Sequence, residues 1–533
     1  MPLLPPKLQR SIVAGTKHAL VATNRFAPLR FFGKRAYDAM ELVIRQRFGS
    51  VEGVRAVYLC HSLAAGECYP GLSDFDLAVV FEDADPPRFY DRIRRRWGSL
   101  KRYFPISDLS ILTVGEFEAW QRIGGGWDPL DEVRNWKLIA GDELRHAHFD
   151  ATVEEAALDR MQWAVGHFQN LLSVAIKEEQ KSPMMAVIAR RQLHKCFWNA
   201  VLALDPKYLA VPAHRARVSM WLRDHGLHPV VEALQMMYRR RFLAGPVTTV
   251  RFDAAALAWK LLDDSLSANP LLSRPLFRPD VSGAAVPISN HGEVDERSSA
   301  MCASVLEMLA DKVESIILSS TGSVRGYTVY VVLRDGLTLE EIADCLRDIR
   351  AIHRVFDDPW FNEHFPAGIP TVCSRSMFLA RLQTGRSSLD YFERFRRVLH
   401  GRDLYAEAVE ESGESDVLPI REHDWKREHL LYSLHLHQVY LAWLKPALHD
   451  YVTFYLPRLM LQRRAGTAPA TAEEAVEAFS RSFGAMDGDI PRQMLDAYRG
   501  KDLDALLKMM TRDTFADVWP LLRQGLQPEA PTS

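Results

Sequence analysis

The same order of patterned segments occurs twice in this chain, once on each side of a single break, and that repetition limits the available folds more than any local motif does. The break runs from about Ser267 to Arg297, where Ser, Pro, Gly and Asn gather between two helix-patterned stretches and read as an interdomain connection. Upstream of it, a helical stretch from Lys34 to Phe48 leads into the apolar strand Val54 to Cys60, and after a loop a second strand covers Asp76 to Phe81. Downstream, a helical stretch from Arg297 to Leu309 leads into Val313 to Ser319, followed by Val329 to Leu333. Pro129 to Leu144 and Ser388 to Leu404 also line up. Each reads as a helix closing at Gly141 or Gly401, because glycine tolerates the left-handed geometry of a helix C-terminus. Duplication of one unit is the expectation; two unrelated α/β units with common patterns are the alternative.

After each mixed segment comes an α-rich one, Val153 to about Leu262 and Glu422 to about Leu522. Apolar residues fall there at helical spacing, as in Phe168, Leu171, Leu172 and Ala175, and in Leu430, Leu434, Leu436 and Val439, and such stripes read as core. The expected fold is therefore α+β: a mixed sheet with flanking helices over residues 30–150, a helical domain over 151–264 and a connection over 265–297. A second sheet domain over 298–410 and a second helical domain over 411–526 complete the plan.

Composition narrows the class of partner. Sixty-six Lys and Arg against 68 Asp and Glu leave a net charge of −2, so no global basic field draws the chain to nucleic acid or anionic membrane. Cys60, Cys68, Cys196, Cys302, Cys345 and Cys373 are scattered, without a Cys-x-x-Cys pair or His at metal-ligand spacing, and read as reduced thiols. Pro and Lys interrupt the apolar residues of Met1 to Arg25, unlike a secretory signal. No stretch approaches the roughly 18 apolar residues of a membrane span, and a cytoplasmic location is expected.

Chemistry concentrates in the segment His61 to Phe81, HSLAAGECYPGLSDFDLAVVF, which begins where one strand ends and finishes as the next. Because side chains alternate along a strand, Asp74 and Asp76 point to one face, where paired carboxylates suit hard divalent cations. Two such ions about 3.5–4 Å apart serve phosphoryl transfer.

With Ser62, Gly66, Pro70, Gly71, Ser73, Asp74 and Asp76 in this order, the segment resembles the signature of the DNA polymerase β-type nucleotidyltransferases, and within them the small bacterial aminoglycoside nucleotidyltransferases. The resemblance covers roughly residues 35–145. It implies a two-Mg²⁺ centre, a nucleoside triphosphate donor with ATP expected, and a third acid on a later strand. Asp108, in the apolar run Pro105 to Leu112, is the candidate: a metal ligand and acceptor of the substrate hydroxyl proton. His61, Ser62 and Ser73 are the expected nucleotide-binding residues of the turn. Lys137, read as lying on the helix after the third strand, is a candidate phosphate contact. One departure is His61 itself, which stands where the family has a glycine whose missing Cβ lets backbone amides approach the triphosphate.

Aligned on its strands, the second half places Ser320 and Thr321 at His61 and Ser62, and Gly326 and Thr328 at Asp74 and Asp76, with no acid near Gly368 and Ile369 to match Asp108. It resembles a degenerate copy. Some nucleotidyltransferases of this kind build their site at a two-fold dimer interface, so the resemblance implies a monomer acting as an internal pseudo-dimer. The basic run Arg92 to Arg96, with Lys101 and Arg102, reads as a solvated helix face. Glu116, Glu118, Asp128, Asp131 and Glu132 gather after the third strand, which suits either a cationic acceptor or a helix start. The expected activity is transfer of a nucleoside monophosphate to a hydroxyl, on a small molecule in the leading reading. Transfer to a protein side chain or an RNA end, and a non-catalytic nucleotide- or partner-binding scaffold, are the alternatives.

Overall fold

The computed structural model describes residues 26–68, 70–71, 73–82, 86–101, 104–123, 133–146, 252–267, 292–320, 327–365, 370–384, 396–411 and 472–483, with scattered helical positions over 160–228 and at 461–496. It is a mixed α+β structure holding two four-stranded sheets.

The first sheet opens with helix α1 (Ala27–Gly49), which leads into β1 (Val54–Cys60). One helical turn, α2 (His61–Ala64), and a loop follow before β2 (Phe75–Phe81). Then come α3 (Pro86–Leu100), β3 (Ile106–Thr113), α4 (Val114–Ile123) and β4 (Lys137–Gly141). The strand order is β3-β2-β1-β4, with β2 parallel to β3 and the other neighbours antiparallel. Every residue of β2 is buried, because apolar side chains leave it on both sides. Leu77, Val79 and Phe81 join Ile44 and Phe48 of α1 and Ile93 and Trp97 of α3, while Ala78 and Val80 join Tyr58, Phe117 and Trp136. A parallel pair covered on both faces calls for such a continuous apolar run.

Helices α5 (His214–Asp224) and α6 (Phe252–Ser267) lie in the intervening segment. The second sheet is introduced by α7 (Gly292–Leu309) and consists of β5 (Val313–Ser320), β6 (Tyr327–Leu333), β7 (Thr371–Ser374) and β8 (Arg396–Gly401). Between its strands run α8 (Leu339–Phe356), α9 (Pro359–His364) and α10 (Arg375–Thr384); α11 (Leu404–Glu411) follows the sheet. Thr338 and Glu341 start α8 with a capping box. The strand order is β7-β6-β5-β8, again with one parallel pair, β6 with β7.

The two sheets agree in detail. The pairing of β1 with β2 slips between Val54 and Ala56, and that of β5 with β6 between Val313 and Ser315. Gly141 lies opposite Ala56 with φ +83°, and Gly401 opposite Ser315 with φ +76°. A Cβ on either glycine would stand 2.1 Å from the carbonyl oxygen of Arg55 or Glu314. Beside each glycine an ion pair crosses the strands with its charges exchanged: Arg55 meets Asp142 at 2.9 Å, and Arg402 meets Glu314 at 3.2 Å. Lys137 pairs with Glu41 of α1 at 2.6 Å, and Arg397 with Asp295 of α7 at 2.9 Å.

These glycines correct one expectation. Residues 137–141 and 396–401 are strands, not helix ends, and each left-handed glycine closes its strand where the neighbouring backbone leaves no room for a Cβ. In the first half, a 3-10 turn over Val133–Asn135 runs into the short strand and imitates helical spacing in the sequence. Lys137 therefore lies on β4, not on a helix.

Packing of the helical segments crosses between the halves. Met161, Phe168 and Leu171, with Ala255, Trp259 and Leu262 of α6, share one core with Ile316, Val331, Cys345 and Phe378 of the second sheet unit. Gln169 donates to the Val372 carbonyl of β7 at 2.9 Å, and the hydroxyls of Ser267 and Ser376 meet at 2.7 Å. In return, Phe479 of α12 (Ala472–Phe483) lies in the core between the first sheet and α1, while Ala475 and Val476 of the same helix join the other core. Burying a side chain such as Phe168 or Phe479 contributes roughly 1.5–3 kcal/mol, so each sheet draws stability from helices outside its own strand segment. The connection is bounded by α6, ending at Ser267, and α7, starting at Gly292. Ala175 and the stripe Leu430 to Val439 lie outside the described residues. No helix among the described residues is long and apolar enough to cross a membrane.

Candidate functional site

Strand β1 ends at Cys60, directly opposite Asp76 of β2. Asp74 and the turn at His61 and Ser62 adjoin that end of the sheet. Asp76 is only 6 % exposed, a costly placement for a carboxylate inside a sheet and one that apolar packing does not call for. Asp74 is half-buried two residues earlier, just before the strand begins. Asp108 occupies β3, next to Leu109, the parallel partner of Leu77, and its position is in phase with Ser110 and Leu112. The pairing slips between Phe75 and Leu77, so position 108 stands alongside Asp76 on the neighbouring strand. The Asp108 side chain lies outside the described residues. Among the described residues, no three or more His, Cys, Asp and Glu gather as a metal site. Hard carboxylate oxygens at positions 74 and 76 are donors of the kind Mg²⁺ takes.

The turn after β1 departs from ordinary backbone. His61 has φ +55°, the sole positive φ of a non-glycine residue among those described. Such a conformation costs an L-residue on the order of 1–2 kcal/mol, and it is one that glycine adopts freely. The next turn is compact: the Ala65 amide donates to the His61 carbonyl at 3.0 Å, and the Glu67 amide to the Ser62 carbonyl at 2.7 Å. His61 and Ser62 are both half-buried. Ser73 is buried, and its hydroxyl donates to the Glu67 carbonyl at 3.2 Å, so it braces the loop.

A residue not marked by the motif holds this loop from outside. Tyr37 of α1 is buried, its ring stacked on Phe75 at 5.3 Å between centroids. Its hydroxyl donates to the Ser73 carbonyl at 2.6 Å and accepts from the Gly71 amide at 3.1 Å. Burial pushes the phenol well above its ordinary range, so Tyr37 stays protonated and its donor is available across the usual pH range. In sequence, Tyr37 is one more apolar position in the helical stretch Lys34 to Phe48. Only the fold shows that its tip reaches the loop.

Lys137 is not brought to the aspartates. It lies opposite Leu59, whose side chain joins the α1-side core, and its ammonium pairs with Glu41 on that side. Asp76 follows the other phase of β2, with Ala78 and Val80. The basic run lies on α3, whose buried face is Ile93, Trp97 and Leu100. There Arg96 hydrogen-bonds the Arg47 carbonyl and the Ser50 hydroxyl near the end of α1, Arg92 pairs with Glu52, and Lys101 covers the Trp97 ring. Of the acids after β3, Asp128, Asp131, Glu132 and the Glu116 side chain lie outside the described residues.

On the face shared by Ala78 and Val80, Tyr58, Phe117 and Trp136 stack in series, and the Tyr58 hydroxyl donates to Glu143 at 3.0 Å and accepts from the Leu144 amide at 2.7 Å. The Arg145 guanidinium, 2.6 Å from Glu143, holds that carboxyl down at about 2.

At the corresponding end of the second sheet the construction differs. Thr328 lies opposite Ser319 as Asp76 lies opposite Cys60, and β5 continues through Ser320, which pairs with Tyr327. Gly326, Thr321, Gly368 and Ile369 lie outside the described residues. Comparison of the chain with family models, curated proteins and solved structures finds no match.

Proposed function

We propose that the first sheet unit is a metal-dependent nucleotidyltransferase centre of the DNA polymerase β type. It transfers a nucleoside monophosphate from a nucleoside triphosphate, with ATP the leading donor, to an acceptor hydroxyl. The observation that carries this reading is the buried Asp76 at the head of β2, with Asp74 two residues before it and Asp108 beside it on β3. The left-handed backbone of His61 supports the same reading, because it is the conformation glycine would supply in the resembling motif.

Asp74 and Asp76, with Asp108 as third ligand, would hold two Mg²⁺ ions. When bound, these ions supply neutralisation of the triphosphate charge. In the reaction the acceptor oxygen bonds to the α-phosphorus, the bond from that phosphorus to the β-phosphate bridging oxygen breaks, and pyrophosphate leaves. The acceptor proton passes to the Asp108 carboxylate. The Ser62 hydroxyl and the His61 ring, at the turn beside the aspartates, are assigned to the triphosphate. Lys137 is left out because Glu41 engages it on the other side of the sheet. Ser73 is assigned to bracing the loop.

The second unit is a duplicated copy without the acids, and the single chain acts as an internal pseudo-dimer. Equal strand order, equal slips and the close backbone approach at Gly141 and Gly401 support duplication; the crossed helical packing supports the pseudo-dimer. A net charge of −2 favours a small acceptor over nucleic acid. The test uses ATP labelled at the α-phosphate, with Mg²⁺ and panels of polyhydroxylated amines, protein and RNA. Pyrophosphate release with the label on a small product is expected. Label on protein or RNA moves the acceptor class, and folded protein that releases no pyrophosphate with any acceptor or nucleotide counts against the activity.

A further inference from the structure

We infer that Tyr37 is a positioning residue of this centre: from helix α1 its hydroxyl fixes the loop that delivers Asp74 to the head of β2. The inference rests on the nucleotidyltransferase reading above and deepens it. The Tyr37 hydroxyl has one donor and two acceptor sites, and the loop takes one of each kind. It donates to the Ser73 carbonyl, one residue before Asp74, at 2.6 Å, and accepts from the Gly71 amide at 3.1 Å.

Both bonds join parts of the chain more than thirty residues apart, tying α1 to the loop without touching the aspartates. The ring is held in turn by stacking on Phe75, the residue between Asp74 and Asp76. Phe75 is itself anchored, since its amide donates to the Pro105 carbonyl at 2.8 Å, just ahead of β3. One phenol thus couples α1, the acid-bearing loop and the β2–β3 junction. Two carboxylates bind a cation pair tightly only when their spacing is fixed before the ions arrive, because loop ordering otherwise subtracts from affinity.

Tyr58 offers an internal control. It is a second buried tyrosine of the same sheet, and its hydroxyl also makes one donated and one accepted bond, to Glu143 and to the Leu144 amide. Those partners lie beyond β4, away from the loop at 61–74. Tyr37→Phe and Tyr58→Phe each keep the ring and remove two hydrogen bonds, so both are expected to lower the unfolding midpoint by similar amounts.

The probe is ATP binding to the full chain measured against Mn²⁺ concentration, with amide exchange followed in the same samples. Tyr37→Phe is expected to raise the Mn²⁺ concentration for half-maximal ATP binding about tenfold, and to speed exchange at Gly71 by a similar factor, the scale of one hydrogen bond. Tyr58→Phe is expected to leave both within about twofold. Equal metal dependence in the two variants, or unchanged exchange at Gly71 in Tyr37→Phe, overturns the positioning role. Wild-type protein that binds no ATP with Mn²⁺ overturns the nucleotidyltransferase reading and this role with it, and the wild-type titration tells that failure from a failure of the tyrosine alone.

Discussion

The two sheets are alike at one end and unlike at the other. At the ends of β4 and β8, Gly141 and Gly401 adopt the same left-handed backbone, and the adjoining ion pairs occupy the same places with their charges reversed. At the opposite end, the first sheet breaks at His61 into a helical turn and a long loop carrying Asp74, whereas β5 runs on through Ser320 to pair with Tyr327. Backbone geometry that closes a sheet accommodates either order of charges, while the other end of the first sheet carries a cost in strain and desolvation. That cost is visible at His61 and at the buried carboxylate of Asp76.

The largest test of this contrast exchanges the acids. Asp76→Asn is expected to reduce pyrophosphate release on the order of 10³-fold or more, since a charge-neutralising metal centre contributes several kcal/mol. Thr328→Val, at the matching place of the second sheet, is expected to leave the rate unchanged in the same assay. Next come the crossed helices. Trp259→Ala and Phe479→Ala should each cost about 3–5 kcal/mol, but in opposite halves. Amide exchange is expected to quicken first in β5 and β6 for Trp259→Ala, and in β1 and β2 for Phe479→Ala. Quickening first in β1 and β2 for Trp259→Ala, or in β5 and β6 for Phe479→Ala, would remove the crossing.

At the shared end, Gly141→Ala and Gly401→Ala are expected to destabilise by roughly 2–3 kcal/mol each in urea unfolding, because a Cβ would meet backbone and the left-handed φ is strained. Unequal penalties would show that the two glycine positions are not equivalent. At the unlike end, His61→Gly relieves left-handed strain and should stabilise by about 1 kcal/mol. Ser320→Gly, within a paired strand, should destabilise by about 0.5–1 kcal/mol. The smallest effect is on acid stability. Glu143 has its carboxyl lowered from 4.5 to about 2 by Arg145. Its contribution is therefore complete above the unfolded value and lost as pH falls from about 4.5 toward 2, and this exposed pair is worth less than about 1 kcal/mol. Glu143→Gln should flatten that part of the pH–stability curve.

Much of the sheet framework was legible in sequence because β1, β2, β5 and β6 are nearly continuous apolar runs bounded by breaks. The short strands β4 and β8 were not, since a few residues cannot distinguish strand from helical period and their glycines suit either a helix end or a close approach of two strands. Asp74 and Asp76 drew notice through the order of residues in their segment, but Asp74 lies just before β2, so strand alternation reaches only Asp76. The place of Lys137 depended on which strand it joined, and Tyr37 reaches the loop through contacts across more than thirty residues that no local pattern encodes. Crossed packing of α6 and α12 is likewise invisible to periodicity, which gives a helix its apolar face but not the surface that face meets.

The most direct measurement is calorimetric titration of ATP, with Mg²⁺, into the full-length chain and into its Asp74→Asn/Asp76→Asn variant. One nucleotide bound per wild-type chain, and none by the folded variant, is the expected result. Binding of two nucleotides per chain, unchanged binding by the variant, or no binding by any of the four nucleotides would contradict a single centre in the first sheet.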